Sequence, residues 1–235
     1  PIPQDPPVVF DDLVRGNVSS EPRDLDDFVI LRSDGTPSYP LASTVDDVDY
    51  VISHVARGED LLPSTPKHIL LSRALGAAEP TYAHLPLLFG TDGKKLSKRF
   101  AAVSLSVYRD EGYLADAVFN YLSLLGWSLA AETTIFTRDE AVAAFELGDV
   151  SSNPATFDPD KLAWMNGEYI RALSMEHFLE LAAPYVESAV GRPLGPEEWS
   201  RFESVGGLVQ ERPRLLPEAG EQVVFLFEDF ADYDQ

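Results

Sequence analysis

Four cations fall within six positions, Lys94, Lys95, Lys98 and Arg99, separated only by Leu96 and Ser97. Lysines offer mobile point charges to phosphate, arginine a planar fork, and a serine hydroxyl a neutral donor. The apolar run Leu85 to Phe89 ahead of them reads as a short strand, and Thr91-Asp92-Gly93 supplies turn chemistry. The pattern is that of a loop that meets anionic oxygen at a strand end. A solvated lysine-rich turn is the plain alternative. The charge balance separates the two. The chain carries 18 Lys+Arg against 39 Asp+Glu, a formal charge of -21, yet Lys67 to Arg109 holds seven basic residues and two acidic ones. A basic island on an acidic chain implies a preferred anionic ligand.

Composition bounds the classes open to the chain. At 235 residues, 45% hydrophobic and 24% charged, it can build a sizeable core. A pI near 4.4 excludes bulk, sequence-independent nucleic-acid binding, so a polyanion must meet a localised patch. The absence of cysteine rules out disulfides and thiolate sites and is compatible with a reducing, cytoplasmic location. No apolar run approaches the roughly 18 residues that span a bilayer, so no membrane partner is expected. Pro1 to Pro7 has neither the basic nor the apolar region of a signal peptide, and both termini read as cut from something longer.

The elements that must position the cations follow from pattern. Val8 to Phe10 reads as a short strand, and Asp27 to Leu31 is β-rich ahead of the turn Ser33 to Pro37. Tyr39 to Val48 fits a helix or a strand and loop. Val51 to Val55 predicts a strand that delivers Arg57-Gly58-Glu59-Asp60 to a loop. Thr65-Pro66 predicts a helix start with a capping hydroxyl, closing at Gly76. Strand, helix and strand make the grammar of a parallel α/β sheet, in which ligands sit at carboxyl ends of strands. From Val107 the periodicity turns helical. Helices are predicted over Leu114 to Gly126, from the capping box Thr137 to Glu140, from Asp158-Pro159 to a stop at Asn166-Gly167, from Ser174 to Val186, and on to Phe230. The fold class is therefore α/β to about residue 105 and all-helical afterwards.

Leu96-Ser97-Lys98 after Lys95, followed by Arg99, resembles the Lys-Met-Ser-Lys-Ser signature of class I aminoacyl-tRNA synthetases in its Lys-Leu-Ser-Lys-Arg form. That form is typical of glutamyl-tRNA synthetases. Phe28 to Tyr39, Val45-Asp-Asp47, His54 to Asp60, Thr65-Pro66, Tyr108-Arg-Asp-Glu-Gly112, Asn120-Tyr-Leu122, Leu125-Gly-Trp127, Phe157-Asp158 and Trp164-Met-Asn-Gly167 are similar to that family in order and spacing. The resemblance covers nearly the whole chain.

What the resemblance implies is a Rossmann-like nucleotide-binding fold, of which this chain holds the C-terminal half. Residues 1–105 then close the catalytic domain, 106–205 form a helical stem-contact region, and 206–235 start an anticodon-binding module. Glutamate attacks the α-phosphate of ATP, accompanied by Mg2+ for which no protein ligand is assigned, and the glutamyl-adenylate passes to the 3′ end of tRNA. Lys95, Ser97 and Lys98 are the implied catalytic residues. Leu87, Leu88, Lys95, Lys98, Arg99 and Asp60 are the implied ATP-binding set, with the Leu87-Leu88 backbone pairing with adenine. Tyr39, Ser43 and Arg57 are implied in the substrate pocket, with Arg57 facing the substrate carboxylate. An Arg57 that bridges Glu59 or Asp60 is the alternative. His54, His84 and the pair Asp46-Asp47 read as structural or solvated.

Three departures from the family bear on the pocket and the loop. Ser43 stands where relatives often carry asparagine, Leu61-Leu62 replaces more polar or aromatic residues, and Phe100-Ala101 follows the signature in place of His-Gly or Lys-Ser. The His-Ile-Gly-His signature and the first half of the nucleotide fold are expected ahead of residue 1. The full-length enzyme is expected to be a monomer, and this piece to be inactive alone. A truncated tRNA- or protein-binding module without catalysis is the other reading.

Overall fold

The computed structural model describes residues 2, 6–96 and 104–227. Ser97, Lys98 and Arg99 lie outside the described residues. Contacts divide the chain into two compact units, one of residues 1–89 with 144–155, the other of residues 90–143 with 156–235.

The first unit is built on a four-stranded sheet in the order β2-β1-β4-β3. Strands β1 (Val8–Asp12) and β2 (Gly16–Ser20) form an antiparallel hairpin. Strand β4 (Thr81–Leu85) lies parallel to both β1 and β3 (His54–Gly58). Helices α1 (Tyr39–Asp49) and α2 (Thr65–Ala74) pack on one another, and β3-α2-β4 is a parallel crossover unit of the kind expected. Val8, Ile69 and Tyr82 form its core, with Phe10, Val55 and Leu70 against them. The register sets Arg57 opposite His84 and Asp12 opposite Tyr82. Three side chains distant in sequence therefore reach one end of the sheet.

Several sequence expectations are corrected. The segment 39–48 is helical, and α1 runs on until Tyr50, Val51 and Ile52 donate back to Asp46, Val48 and Asp47. That turn consumes the predicted start of the next strand. β3 therefore begins at His54 and carries Arg57 within the strand instead of in a loop. The run Leu85 to Phe89 is not one strand: β4 ends at Leu85 and β5 (Leu88–Gly90) begins beyond Pro86, which has no N–H to give a ladder. Residues 27–31 form no strand, only an isolated bridge from Leu31 to Pro37 around the expected turn. Thr65 is no cap. It is already helical, and its hydroxyl is engaged elsewhere, as set out below.

Among the described residues the second unit is helical apart from its share of the short pair β5 and β6 (Ala155–Phe157). Its helices are α3 (Leu105–Asp110), α4 (Ala115–Ser123), α5 (Arg138–Ala144), α6 (Pro159–Ala172), α7 (Met175–Val190), α8 (Pro196–Gln210) and α9 (Leu216–Val223). The predicted capping box is present, Thr137 N–H donating to Glu140 and Glu140 N–H to the Thr137 hydroxyl. Asp158 caps α6 through the N–H groups of Asp160 and Lys161. That helix does not stop at Asn166-Gly167. Asn166 is buried, accepts the Leu114 N–H at 2.7 Å and donates to the Arg214 carbonyl at 2.6 Å. Gly167 lets the 213–214 backbone approach, since a Cβ there would lie 3.3 Å from the Pro213 carbonyl oxygen. Tertiary partners thus override two residues that read as a stop signal. The main core joins Ile170, Phe178, Ala182, Val186, Phe202 and Val223, each fully or almost fully buried. Each large apolar side chain there contributes about 1.5–3 kcal/mol by its removal from water.

Candidate substrate site

Arg57 is half-buried in β3 and holds three hydrogen bonds, all to groups without charge. Its Nε donates to Nε2 of His84 at 3.2 Å, and its Nη2 donates to the Thr65 hydroxyl at 2.7 Å and the Leu61 carbonyl at 3.4 Å. The guanidinium carbon lies 5.7 Å from the centre of the Tyr82 ring. Among the described residues no carboxylate forms an ion pair with it. The alternative in which Arg57 bridges Glu59 fails, because Glu59 is occupied by Arg15 at 2.5 Å and by the Leu87 N–H at 3.1 Å. A partly desolvated guanidinium with only neutral partners suits an incoming carboxylate.

The partners of Arg57 are themselves fixed. His84 is buried, and its Nδ1 lies 2.5 Å from Oδ2 of Asp12, which is also buried. Burial acts to raise the Asp12 pKa, but hydrogen bonds from His84, Arg15 and Val14 outweigh it and hold the carboxyl below its ordinary value. Burial lowers the His84 pKa, more than Asp12 raises it. The pair is therefore a carboxylate accepting from a neutral imidazole. From sequence His84 reads as structural; the structure gives it a partner 72 positions away, reached through the parallel pairing of β1 with β4. Neither Asp12 nor Thr65 was singled out for chemistry. Only the placement of Asp12 at a strand end could have pointed to it.

Tyr39 opens α1 with 57% of its surface exposed, its ring edge-on to His68 at 5.8 Å. His68 is buried beside Thr44, whose hydroxyl donates to the Pro40 carbonyl at 2.7 Å and so accepts from His68 Nδ1 at 3.2 Å. Burial first, and then the charge of Arg57, push the His68 pKa down to about 4. Burial raises the pKa of Asp47, against the pull of Arg57. Arg57, Tyr39, His68 and Asp47 thus share one neighbourhood. Ser43 sits half-buried on α1 one turn after Tyr39, and Asp60 is exposed just beyond β3. Leu87 has both backbone groups engaged, its N–H by Glu59 and its carbonyl by the Ala155 N–H at 3.2 Å, while Leu88 opens β5.

The basic loop belongs to the second unit. Gly90 N–H donates to the Lys94 carbonyl at 2.9 Å and Gly93 N–H to the Gly90 carbonyl at 3.0 Å, with Gly93 at φ +73°, where a side chain would be strained. Asp92 accepts the Lys94 N–H at 3.0 Å and pairs with its ammonium at 3.7 Å. The Lys94 side chain is 84% exposed, and Lys95 is exposed too. Behind this turn lies a cavity of about 720 Å³ lined by Lys94, Lys95, Leu96, Tyr108, Tyr113 and Phe157 among others. Among the described residues no three His, Asp or Glu side chains converge as a metal site.

Residues 1–164 match the family model for the catalytic domain of class I tRNA synthetases (E and Q). The chain is 44% identical over 230 residues to glutamate–tRNA ligase 2 of Coxiella burnetii (strain Dugway 5J108-111), covering 97% of this chain and 48% of the relative. It is 50% identical over 190 residues to the glutamate–tRNA ligase of Aquifex aeolicus (strain VF5), covering 80% of this chain and 40% of that one. A glutamate tRNA ligase from Elizabethkingia meningosepticum CCUG26117, solved in complex with its amino acid, superposes with a TM-score of 0.84 at 31% identity over 100% of this chain and 49% of that one. The glutamate-tRNA synthetase of Elizabethkingia anophelis gives 0.85 at 32% identity, again over 100% of this chain and 50% of that one. The chain spans about half the length of the curated relatives it matches. With its parallel crossover sheet, its helical continuation and a signature lysine beyond the β5 turn, the chain belongs to the class I tRNA synthetases of the E and Q type.

Proposed function

We propose that this chain is the half of a glutamate–tRNA ligase that recognises the glutamate carboxylate and carries the signature loop. The observation that carries the reading is Arg57, a half-buried guanidinium hydrogen-bonded to neutral groups and, among the described residues, in no ion pair with a carboxylate. In the reaction an oxygen of the glutamate α-carboxylate attacks the α-phosphorus of ATP, the bond to the bridging oxygen breaks, and pyrophosphate leaves. The 3′-terminal ribose hydroxyl of tRNA then attacks the acyl carbon, and AMP leaves. The α-carboxylate must stay free to attack, so a fork held in place serves the side-chain carboxylate, with the Tyr39 hydroxyl as a second contact and Ser43 on the same helix face. That choice distinguishes glutamate from glutamine, whose neutral amide brings no charge to pair with the guanidinium and sets N–H donors against it.

ATP, with its Mg2+, enters as substrate. Leu88 and Asp60 are the proposed nucleotide contacts in the first unit; the Leu87 backbone, implied in adenine pairing, is already engaged by Glu59 and Ala155. Lys95, with Ser97, Lys98 and Arg99, meets the charge that grows on the departing pyrophosphate; such stabilisation is worth most in the transition state. Residues 106–205 are proposed to contact the tRNA stem and 206–235 to begin the anticodon-binding part, in a cytoplasmic enzyme that acts as a monomer. Exchange of labelled pyrophosphate into ATP by the whole synthetase that carries this chain tests the reading. Glutamate with tRNA should drive exchange, glutamine should drive it far more slowly, and the 235-residue chain alone should give none. Equal exchange with glutamine, or robust exchange by the isolated chain, contradicts it.

A further inference from the structure

We infer that His84 is a positioning residue: anchored by Asp12, it presents a bare Nε2 lone pair that fixes the Arg57 guanidinium for the substrate. The inference rests on the reading of Arg57 as the carboxylate-binding group and adds to it which residues hold that group and in what protonation state. Asp12 accepts four donors, the backbone N–H groups of Val14, Arg15 and His84 and the His84 ring, so it acts as a carboxylate. The proton shared with the ring therefore sits on Nδ1 of His84.

The far nitrogen has no choice left. Arg57 Nε can only donate, and it lies 3.2 Å from Nε2. A proton on Nε2 would set two donors face to face and leave Nδ1, 2.5 Å from Asp12, as a second acceptor against a carboxylate. The Thr65 hydroxyl, 3.0 Å from Nε2, takes the Nη2 hydrogen of Arg57 and closes a three-membered ring of contacts. Nε and Nη2 are thereby committed to the protein, and Nη1, with no hydrogen bond among the described residues, is the nitrogen offered outward. The ring of His84 also stacks on Tyr82, centroids 6.1 Å apart at 16°, which fixes its plane. A hydrogen-bonded line from carboxylate to imidazole to guanidinium thus sets the direction of a cation on the neighbouring strand.

Two amides separate the halves of this line. His84→Asn places an amide where Nδ1 stands and can keep Asp12 while losing Arg57; His84→Gln can reach the Nε2 position and accept from Arg57. In glutamate-dependent pyrophosphate exchange by the whole synthetase, His84→Asn should raise the KM for glutamate about tenfold, with the KM for ATP unchanged and kcat within about threefold. His84→Gln should recover most of that loss, and Arg57→Ala should be the more damaging. Equal loss in both His84 variants, or a loss falling on ATP and glutamate alike, overturns the positioning role. If Arg57→Ala weakens glutamate while His84→Asn does not, the positioning role falls and the carboxylate reading stands; if Arg57→Ala leaves the glutamate KM unchanged, both fall. Long-range nitrogen NMR of histidine-labelled wild-type protein needs no variant to fold. It should show His84 protonated on Nδ1 alone, and a proton on Nε2 overturns the inference.

Discussion

Arg57 and Lys95 are both proposed to meet an anion, and their surroundings differ in almost every respect. Arg57 lies in a strand, half-buried, with its direction set by His84 and Thr65. Lys95 is an exposed residue that follows a glycine turn, beside an 84%-exposed Lys94. The difference matches the anions they are proposed to meet. A substrate carboxylate has one fixed place and rewards a fork whose ordering cost is met in folding. Charge on a leaving pyrophosphate appears only during reaction, and point charges on flexible stems can follow it.

The sharpest break in this comparison is Arg57→Ala. It should lower kcat/KM for glutamate by about 10²–10³, because the carboxylate loses a desolvated partner, while denaturant stability changes little. Asp12→Ala should act the other way, on stability first. It strands the His84 ring proton and three backbone N–H groups, and should cost about 3 kcal/mol in a urea titration. Lys95→Ala should lower kcat for exchange about 10- to 100-fold with the glutamate KM unchanged and stability within about 0.5 kcal/mol.

Acid should also separate the two regions. His68 falls from about 6.5 to about 4, and His84 is lowered too, both first by burial. The unfolded chain therefore takes up protons that the folded chain refuses. Stability should be complete above pH about 6.5 and fall as the pH drops toward 4, with His68 alone accounting for up to about 3 kcal/mol. His68→Gln should flatten that dependence, while no substitution in the basic loop should alter it. The smallest effect is assigned to Lys94→Ala. Its pair with Asp92 is exposed at 3.7 Å, so stability should move by less than about 0.5 kcal/mol.

The same contrast explains what was legible in the sequence. The basic loop is local: the turn, the cations and their spacing all fall within ten residues, so the stretch reads directly. The helix of the crossover unit was legible from Thr65-Pro66, but its strands were displaced: β3 starts at His54 instead of Val51, and Thr81–Leu85, which pairs with it, lies ahead of the apolar run read as the strand. The setting of Arg57 was not legible. Asp12, Arg57 and His84 come from three strands, and only the register of β1, β4 and β3 places them together. Thr65 was visible but assigned to the wrong task, because a hydroxyl at a helix start looks the same whether it caps the helix or faces a neighbouring strand. Asn166-Gly167 read as a stop for α6, yet the 213–214 backbone makes that pair the middle of a helix. Local signals fixed element types well; positions that answer to distant backbone were open.

The central claim is that Arg57 stands ready to receive the side-chain carboxylate of glutamate. A crystal structure of the whole synthetase with L-glutamate tests it most directly. The side-chain carboxylate should lie within hydrogen-bond distance of Arg57 Nη1, with the contacts of Arg57 to His84 and Thr65 intact. A glutamate bound with that carboxylate away from Arg57, or an Arg57 that leaves His84 to reach it, would contradict the account.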